Sequence, residues 1–312
     1  MRPAFSVIFL TTLTGAAQGL FLALYLAELL AGYGTIARPD AIFFVAGSAI
    51  SVVLAGLGLL ASFFHLGHPE RAWRAIAMWR TSWLSRECLF LPAFMAIVFA
   101  YGIAHWMGLR VTIGVGAAGV LACFGLFVST GMIYTCIKFL QEWASPLTTV
   151  NFIFLGSASG FMLATVLSTL AAPALTGFFA SGALSLTIVG LASRVASLVR
   201  NARLAPKSSL QSATGLKHQR IVQKSRGFTG GSFNTKEFSH GQTPQTMRAI
   251  KWSFLVLTFP VPFALTIAGI ATGSSSLLVA ALIVQFAGLI AERWYFFADA
   301  NHPQNLYYGS AS

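Results

Sequence analysis

The chain has 312 residues, of which 56% are hydrophobic and only 9% are charged, with a mean hydropathy of +0.74. A water-soluble domain has too little interior to bury so large an apolar fraction, which excludes a soluble globular protein. The formal net charge of +12 comes from few residues, so the positions of the cations are more informative than their sum. Composition therefore predicts an all-α, polytopic membrane protein.

Apolar runs long enough to cross the hydrocarbon core recur along the chain. The first, from Phe5 to Leu30, is too long for a secretory signal and leads into further spans, so we interpret it as a retained helix. We predict a bundle of about eight transmembrane helices forming a single membrane-anchor domain over residues 1–312. The helices are predicted near 6–32, 40–64, 87–107, 112–138, 149–171, 175–199, 250–273 and 276–298.

Two ionisable residues lie near the ends of the first and third spans. Glu28 is predicted to be an isolated carboxylate. The favoured interpretation is that it is either packed with its hydrogen bonds satisfied or exposed at the outer interface. His105 is the only histidine within a predicted span. Because haem ligation by two histidines needs a facing pair, the sequence predicts no haem. The three cysteines show no metal-ligand spacing, so no metal site is predicted either.

The turn between the second and third spans concentrates ionisable and aromatic side chains. We expect an interfacial helix here, with the tryptophans on one side and Arg71 and Arg74 on the other, while Arg80 does not fit the pattern. His65 closes the second span and Glu87 opens the third, which predicts that both side chains lie at one membrane depth. Arg86 points about 100° away from Glu87 and is an imperfect partner.

A histidine and a carboxylate beside an apolar span suit quinone chemistry. A quinone ring needs hydrogen-bond partners at its two oxygens, and proton donors or acceptors as electrons move. The alternative interpretation makes the histidine and the tryptophans ordinary interface residues, but a carboxylate at the start of an apolar span costs free energy unless it is paired or functional. His65 and Glu87 are therefore candidate quinone-binding residues. Secondary candidates are Arg71, Arg86, Glu292 and Arg293.

Glycines in the fourth and fifth spans spell two short motifs. Residues 114–119 match the letters of a dinucleotide fingerprint, yet they lie inside an apolar run, whereas that fingerprint needs a strand before it. We therefore predict that these glycines, together with Gly156 and Gly160, allow close packing between helices.

Residues 201–246 form the one long polar segment, rich in Gly, Ser, Lys and Arg. It could be a solvated linker, but it also carries Phe228, Phe233 and Phe238 among the cations, which favours docking against a partner or the membrane surface.

The cations are distributed unequally between the two sides of the membrane. An even number of spans returns both termini to one side, and every Lys and Arg except Arg38 and Arg110 belongs to that side. The positive-inside rule then predicts that both termini and the polar segment 201–246 are cytoplasmic.

The turn also carries a family resemblance. The run His65-Leu-Gly-His68-Pro-Glu-Arg-Ala-Trp, followed by Trp79-Arg-Thr-Ser-Trp-Leu-Ser-Arg-Glu87, resembles the membrane anchors of the dimethyl sulfoxide reductase family. The segment from Ser209 to Phe238 is similar to the corresponding loop of that family. The ending from Glu292 to Tyr308 is similar to anchors of cytoplasmic sulfite-oxidising molybdoenzymes, a branch that the predicted orientation also favours.

This resemblance implies an anchor in the bacterial inner membrane that is not itself catalytic for the substrate. It would contain no haem or metal, hold an iron–sulfur subunit and a molybdopterin catalytic subunit, and exchange electrons with ubiquinone or menaquinone. It implies quinone binding for His65 and Glu87, and sulfite oxidation as the preferred reaction. The alternatives are an anchor that oxidises quinol for a dimethyl sulfoxide reductase, or a small-anion or proton transporter that uses Glu28, Glu87 and Glu292. No nucleic-acid partner is implied.

Overall fold

The computed structural model describes residues 4–205, 207–218, 220–221 and 242–301. Within these ranges the chain forms ten α-helices and two short 3-10 helices. The α-helices are α1 (Phe5–Gly32), α2 (Ala41–Phe63), α3 (Trp83–Trp106), α4 (Thr112–Thr135), α5 (Pro146–Ala171), α6 (Thr176–Ala202), α7 (Leu210–Thr214), α8 (Pro244–Thr258), α9 (Pro260–Thr272) and α10 (Ser275–Ala298). The 3-10 helices cover Pro69–Met78 and Pro173–Leu175.

Eight of the described helical segments are long and apolar enough to cross a membrane. They are α1 to α6, the α8–α9 pair and α10, which confirms the predicted all-α polytopic bundle. The seventh span differs from prediction, because it is two helices that meet at Phe259, where φ is −117° and ψ is −78°. Pro260 explains the break, since proline has no N–H and its ring collides with the preceding turn.

Helices α1 and α5 form the centre of the bundle. In their most apolar stretches 72% and 67% of residues are buried, compared with 33–39% in the other spans, whose outer sides remain available for lipid. Glycines allow the two helices to touch: a Cβ at Gly160 would collide with the backbone of Gly19, and one at Gly15 would lie 3.3 Å from the Cα of Gly156. The predicted packing role is confirmed for Gly116, Gly119, Gly156 and Gly160, but not for Gly114, where an added Cβ would meet nothing within 4 Å.

The start of α3 also differs from the predicted boundary. The helix begins at Trp83, four residues before Glu87, because the Ser82 side chain accepts a hydrogen bond from the Ser85 N–H and caps the first turn. Glu87 therefore lies roughly 6 Å along the helix from its start. We call the face where α1 begins and α10 ends the terminal face, and the other the opposite face.

The described part of the segment 201–246 contains little regular structure. The last residues of α6, the single-turn helix α7 and the start of α8 fall within it. Arg200, at the end of α6, donates a hydrogen bond of 2.9 Å to the Asn201 side chain and one of 3.0 Å to the Gln141 carbonyl oxygen. The second bond links α6 to the connection between α4 and α5. Phe228, Phe233 and Phe238 lie outside the described residues, and docking by this segment stays a prediction.

Candidate functional site

The connection between α2 and α3 lies at the terminal face as a short 3-10 helix. A 3-10 helix has three residues per turn, so Trp73, Ile76 and Trp79 fall on one side. All three are exposed, by 69%, 39% and 51%. The guanidinium of Arg74 lies over the Trp73 ring and that of Arg80 over the Trp79 ring. A helix is therefore present in the predicted connection, as a 3-10 helix, and its position on the lipid headgroups stays a prediction.

Two of the secondary candidates belong to this connection. Arg71 is exposed, and its Nε lies 3.6 Å from Glu70 Oε1. Arg86 donates hydrogen bonds to the carbonyl oxygens of Trp79 and Arg80, at 2.9 and 2.8 Å, and its guanidinium lies over the Trp83 ring at 4.1 Å. These hydrogen bonds join the end of the connection to the first turn of α3, which contains Arg86.

His65 lies two residues beyond the end of α2 and is exposed. Partial burial of its ring still lowers its pKa from the ordinary value, because burial disfavours the imidazolium. The ring is therefore neutral near pH 7, with one nitrogen able to donate a hydrogen bond and the other able to accept one. No hydrogen bond or ion pair joins His65 to Glu87 among the described residues.

Glu87 is buried between α3 and α4, with 8% of its surface exposed. Its Oε1 accepts a hydrogen bond of 2.6 Å from the Thr130 hydroxyl. Within the described ranges no cationic side chain forms an ion pair with this carboxylate. A buried carboxylate that has only a neutral donor is suited to gaining or losing a proton, or to accepting a hydrogen bond from a ligand.

Glu292 and Arg293 belong to a buried cluster that the sequence only partly indicated. Glu292 Oε1 lies 2.7 Å from Arg194 Nε, and its Oε2 lies 3.2 Å from an Arg293 Nη. The Arg194 contact is a close ion pair without the alignment of a hydrogen bond. The sequence places Arg194 within the sixth predicted span and counts it with the cations of the terminal side, but it gives no sign of this pairing; Arg194 is 2% exposed inside α6.

Tyr134 connects this cluster with Glu87. Its ring is part of an aromatic group with Trp143, Phe152, Phe296 and Phe297, and the Arg293 guanidinium lies 3.8 Å from the Phe152 ring centroid. Tyr134 lies one turn of α4 beyond Thr130, whose hydroxyl donates to Glu87. The structure thus brings three of the predicted residues, Glu87, Glu292 and Arg293, into one buried region.

A second histidine–carboxylate pair lies at the opposite face. Glu28 of α1 accepts a hydrogen bond of 2.7 Å from the Tyr101 hydroxyl, and its Oε1 lies 3.4 Å from His105 Nε2. The interpretation of Glu28 as a packed, satisfied group is confirmed, but its partners were missed. The sequence did contain a signal for this contact. Glu28 lies near the end of the first span and His105 near the end of the third, and both of these ends are at the opposite face.

Comparison with known proteins places these features in a family. Residues 1–310 match the family described as DMSO reductase anchor subunit (DmsC). The chain is also 52% identical over 325 aligned positions to a sulfite dehydrogenase subunit of Allochromatium vinosum, with both chains covered completely. The match spans the whole chain, including the connection between α2 and α3 and the residues of the buried cluster. The chain therefore belongs to the DMSO reductase anchor subunit family.

Proposed function

We propose that this protein anchors a molybdopterin and iron–sulfur oxidoreductase in the bacterial inner membrane and passes electrons from the iron–sulfur subunit to the quinone pool during sulfite oxidation. The observation that carries the proposal is Glu87, a buried carboxylate near the terminal face with a hydroxyl partner and no cationic partner among the described residues. The chain's family and its similarity to a sulfite dehydrogenase subunit support the proposed setting.

Sulfite oxidation releases two electrons and two protons, and reduction of a quinone to a quinol consumes both. A bound quinone supplies the redox chemistry. In this proposal Glu87 holds or releases a proton at its carboxyl group, and the neutral His65 ring donates a hydrogen bond to a ring oxygen. The exposed indoles of the connection provide an apolar approach for the quinone at the interface.

The positions of the cations support a cytoplasmic terminal face. Among the described residues, Arg38 and Arg110 are the only Lys and Arg residues at the opposite face, and cytoplasmic loops of membrane proteins carry an excess of cations. A cytoplasmic terminal face would place His65, Glu87 and the segment 201–246 on the side where a cytoplasmic iron–sulfur subunit docks.

The test separates quinone coupling from substrate oxidation. In the assembled complex, His65→Ala and Glu87→Gln should reduce sulfite-dependent quinone reduction at least tenfold, while sulfite oxidation with an artificial electron acceptor stays unchanged. His68→Ala is the matched control, because His68 is exposed in the same connection and lies 3.0 Å from Glu70 rather than near a buried group. Unchanged quinone reduction in both test variants would refute the site.

Composition of the purified complex tests the anchor role separately. Extraction in mild detergent should recover this chain together with two larger subunits that carry molybdenum and iron. Recovery of the chain alone, with no such subunits in the cell extract, would instead support the transporter alternative.

The family description supports a second candidate, in which the anchor oxidises quinol for a dimethyl sulfoxide reductase. The two candidates differ in the direction of electron flow. Quinol-dependent reduction of dimethyl sulfoxide by the purified complex, without sulfite-dependent quinone reduction, would favour this second candidate.

A further inference from the structure

A cavity of about 400 Å³ opens at the opposite face, away from the proposed quinone site. It lies among the ends of α1, α2, α3 and α4 and the two connections that join them in pairs. Its polar lining consists of Glu28, Arg38, His105, Arg110 and Thr112. This volume falls in the range of small-molecule and headgroup sites.

Both cations that the described part of the chain places at the opposite face line this one cavity. Arg38 belongs to the connection between α1 and α2, and Arg110 to the connection between α3 and α4. They are exposed at the mouth, and they are far apart in sequence. Two arginines that line one cavity from separate loops suit a phosphate group, which accepts paired hydrogen bonds from arginine.

Two long helices also begin at the cavity. Helix α2 starts at Ala41 and α4 starts at Thr112, and both residues are part of the lining. Neither preceding residue, Asp40 nor Val111, caps its helix with a side-chain hydrogen bond. The Phe43 N–H donates to the Asp40 carbonyl oxygen, but the amide groups before it in α2 and those that open α4 have no side-chain cap, and the helix dipoles add a positive potential.

The one carboxylate in the lining is already engaged by the protein. Glu28 is held by the Tyr101 hydroxyl and lies 3.4 Å from His105 Nε2. The His105 ring, in turn, stacks on Phe44 with centroids 4.2 Å apart. Asp40 is exposed and lies outside the lining. The two guanidiniums therefore have no carboxylate partner among the described ion pairs, and the lining side chains include two arginines against one carboxylate, which favours an anion.

The position of the cavity favours a lipid over a free anion. It lies at the ends of four spans, at the depth where headgroups meet the acyl region. Leu109 and Ile113 are part of its lining and are 45% and 50% exposed, as expected for side chains that contact acyl chains. A quinone ring is uncharged and would leave both guanidiniums without a counterion.

We propose that this cavity binds the phosphate group of an anionic phospholipid. Arg38 and Arg110 hold the phosphate oxygens, the first turns of α2 and α4 face it, and the His105–Glu28 pair forms the polar floor beneath the headgroup. The assignment does not depend on the proposed redox role.

Native mass spectrometry of the detergent-purified complex can measure the bound lipid directly. Wild-type protein titrated with phosphatidylglycerol should retain one lipid molecule per anchor through delipidation. The Arg38→Gln and Arg110→Gln substitutions should each weaken lipid retention about fivefold. The double variant should weaken it by the product of the two single-variant factors. Arg71→Gln is the matched control, because Arg71 is an exposed arginine at the terminal face.

Four results decide the outcome. Equal retention of phosphatidylglycerol by the wild-type protein and the double variant would overturn the proposal, as would equal retention of phosphatidylcholine and phosphatidylglycerol by the wild-type protein. Displacement of the lipid by millimolar inorganic phosphate would show a free-anion site instead. Recovery of retention in Arg38→Lys combined with Arg110→Lys would support the electrostatic assignment and show that the substituted protein folds.

Discussion

Three buried carboxylates in the spans are held by different kinds of partner. Glu292 lies against two guanidiniums, Glu28 against a phenol and an imidazole, and Glu87 against a single hydroxyl. The ionised form of a buried carboxylate is stabilised most by cations and least by neutral donors. Glu87 is therefore the carboxylate among these three whose charge is least compensated, which supports its place in the proposed quinone site.

Substitution of Glu292 should destabilise the protein strongly. Glu292→Gln leaves the buried guanidiniums of Arg194 and Arg293 without a carboxylate, a situation that costs about 3–5 kcal/mol. We expect a clear fall in the thermal unfolding midpoint in detergent. Glu70→Gln provides the control, because Glu70 is exposed and its pairs contribute about 0–1 kcal/mol. Equal midpoints for the two variants would contradict a stabilising cluster.

The protonation of His65 predicts a pH dependence of quinone coupling. Because its pKa is lowered, the ring stays neutral above its ordinary value of about 6.5 and becomes charged only at more acidic pH. The KM for quinone should therefore be constant between about pH 7 and 8 and should rise at a pH below about 6.5. His65→Gln keeps hydrogen-bonding capacity without titrating, so it should remove this rise. Assays with an artificial acceptor at each pH correct for effects on the catalytic subunit.

At the scale of elements, contact between α1 and α5 depends on glycine. Gly160→Ala would place a methyl group against the backbone of Gly19, so the two central helices would have to separate. Such overpacking typically costs about 1–3 kcal/mol, and we expect a lower unfolding midpoint in detergent. Gly177→Ala, at the start of α6, meets nothing within 4 Å and is the control. A midpoint unchanged by Gly160→Ala would show that α1 and α5 adjust freely.

The helices themselves were largely predictable, because burial in lipid requires long apolar runs that can be counted in the sequence. Their ends were less predictable, since these depend on single contacts. The cap at Ser82 extends α3 by one turn beyond the predicted start. The break at Phe259 depends on Pro260, whose position in the chain was visible but whose local geometry was not.

The candidate site was predictable in part for a related reason. Glu87 was identifiable because a carboxylate in an apolar run is costly and therefore conspicuous. Its contact with Thr130 and the contact of Glu292 with Arg194 join residues 43 and 98 positions apart. Such pairs depend on how the helices are arranged around α1 and α5, which the periodicity of a single span does not reveal.

At the scale of the whole molecule, the orientation in the membrane can be tested by labelling. Cys136 is exposed beyond the end of α4, at the terminal face, whereas Tyr33 is 83% exposed at the opposite face. In intact spheroplasts, a membrane-impermeant maleimide should label the Tyr33→Cys variant but not the parent protein. If the parent protein is labelled from outside and the Tyr33→Cys variant is labelled no more than the parent, the orientation is the reverse of the one proposed.

The buried ion cluster also affects how the protein is made. Arg194 enters the membrane with α6, but Glu292 lies 98 residues later in the chain and emerges from the ribosome only with α10. An unpaired arginine within a span is costly to leave in lipid. Helix α6 must therefore stay near the insertion machinery, or near the aqueous interface, until α10 arrives. Because α10 is synthesised after α6, the packing of α10 into the bundle is the step that completes insertion. A chain truncated before α10 should therefore have α6 poorly integrated into the membrane.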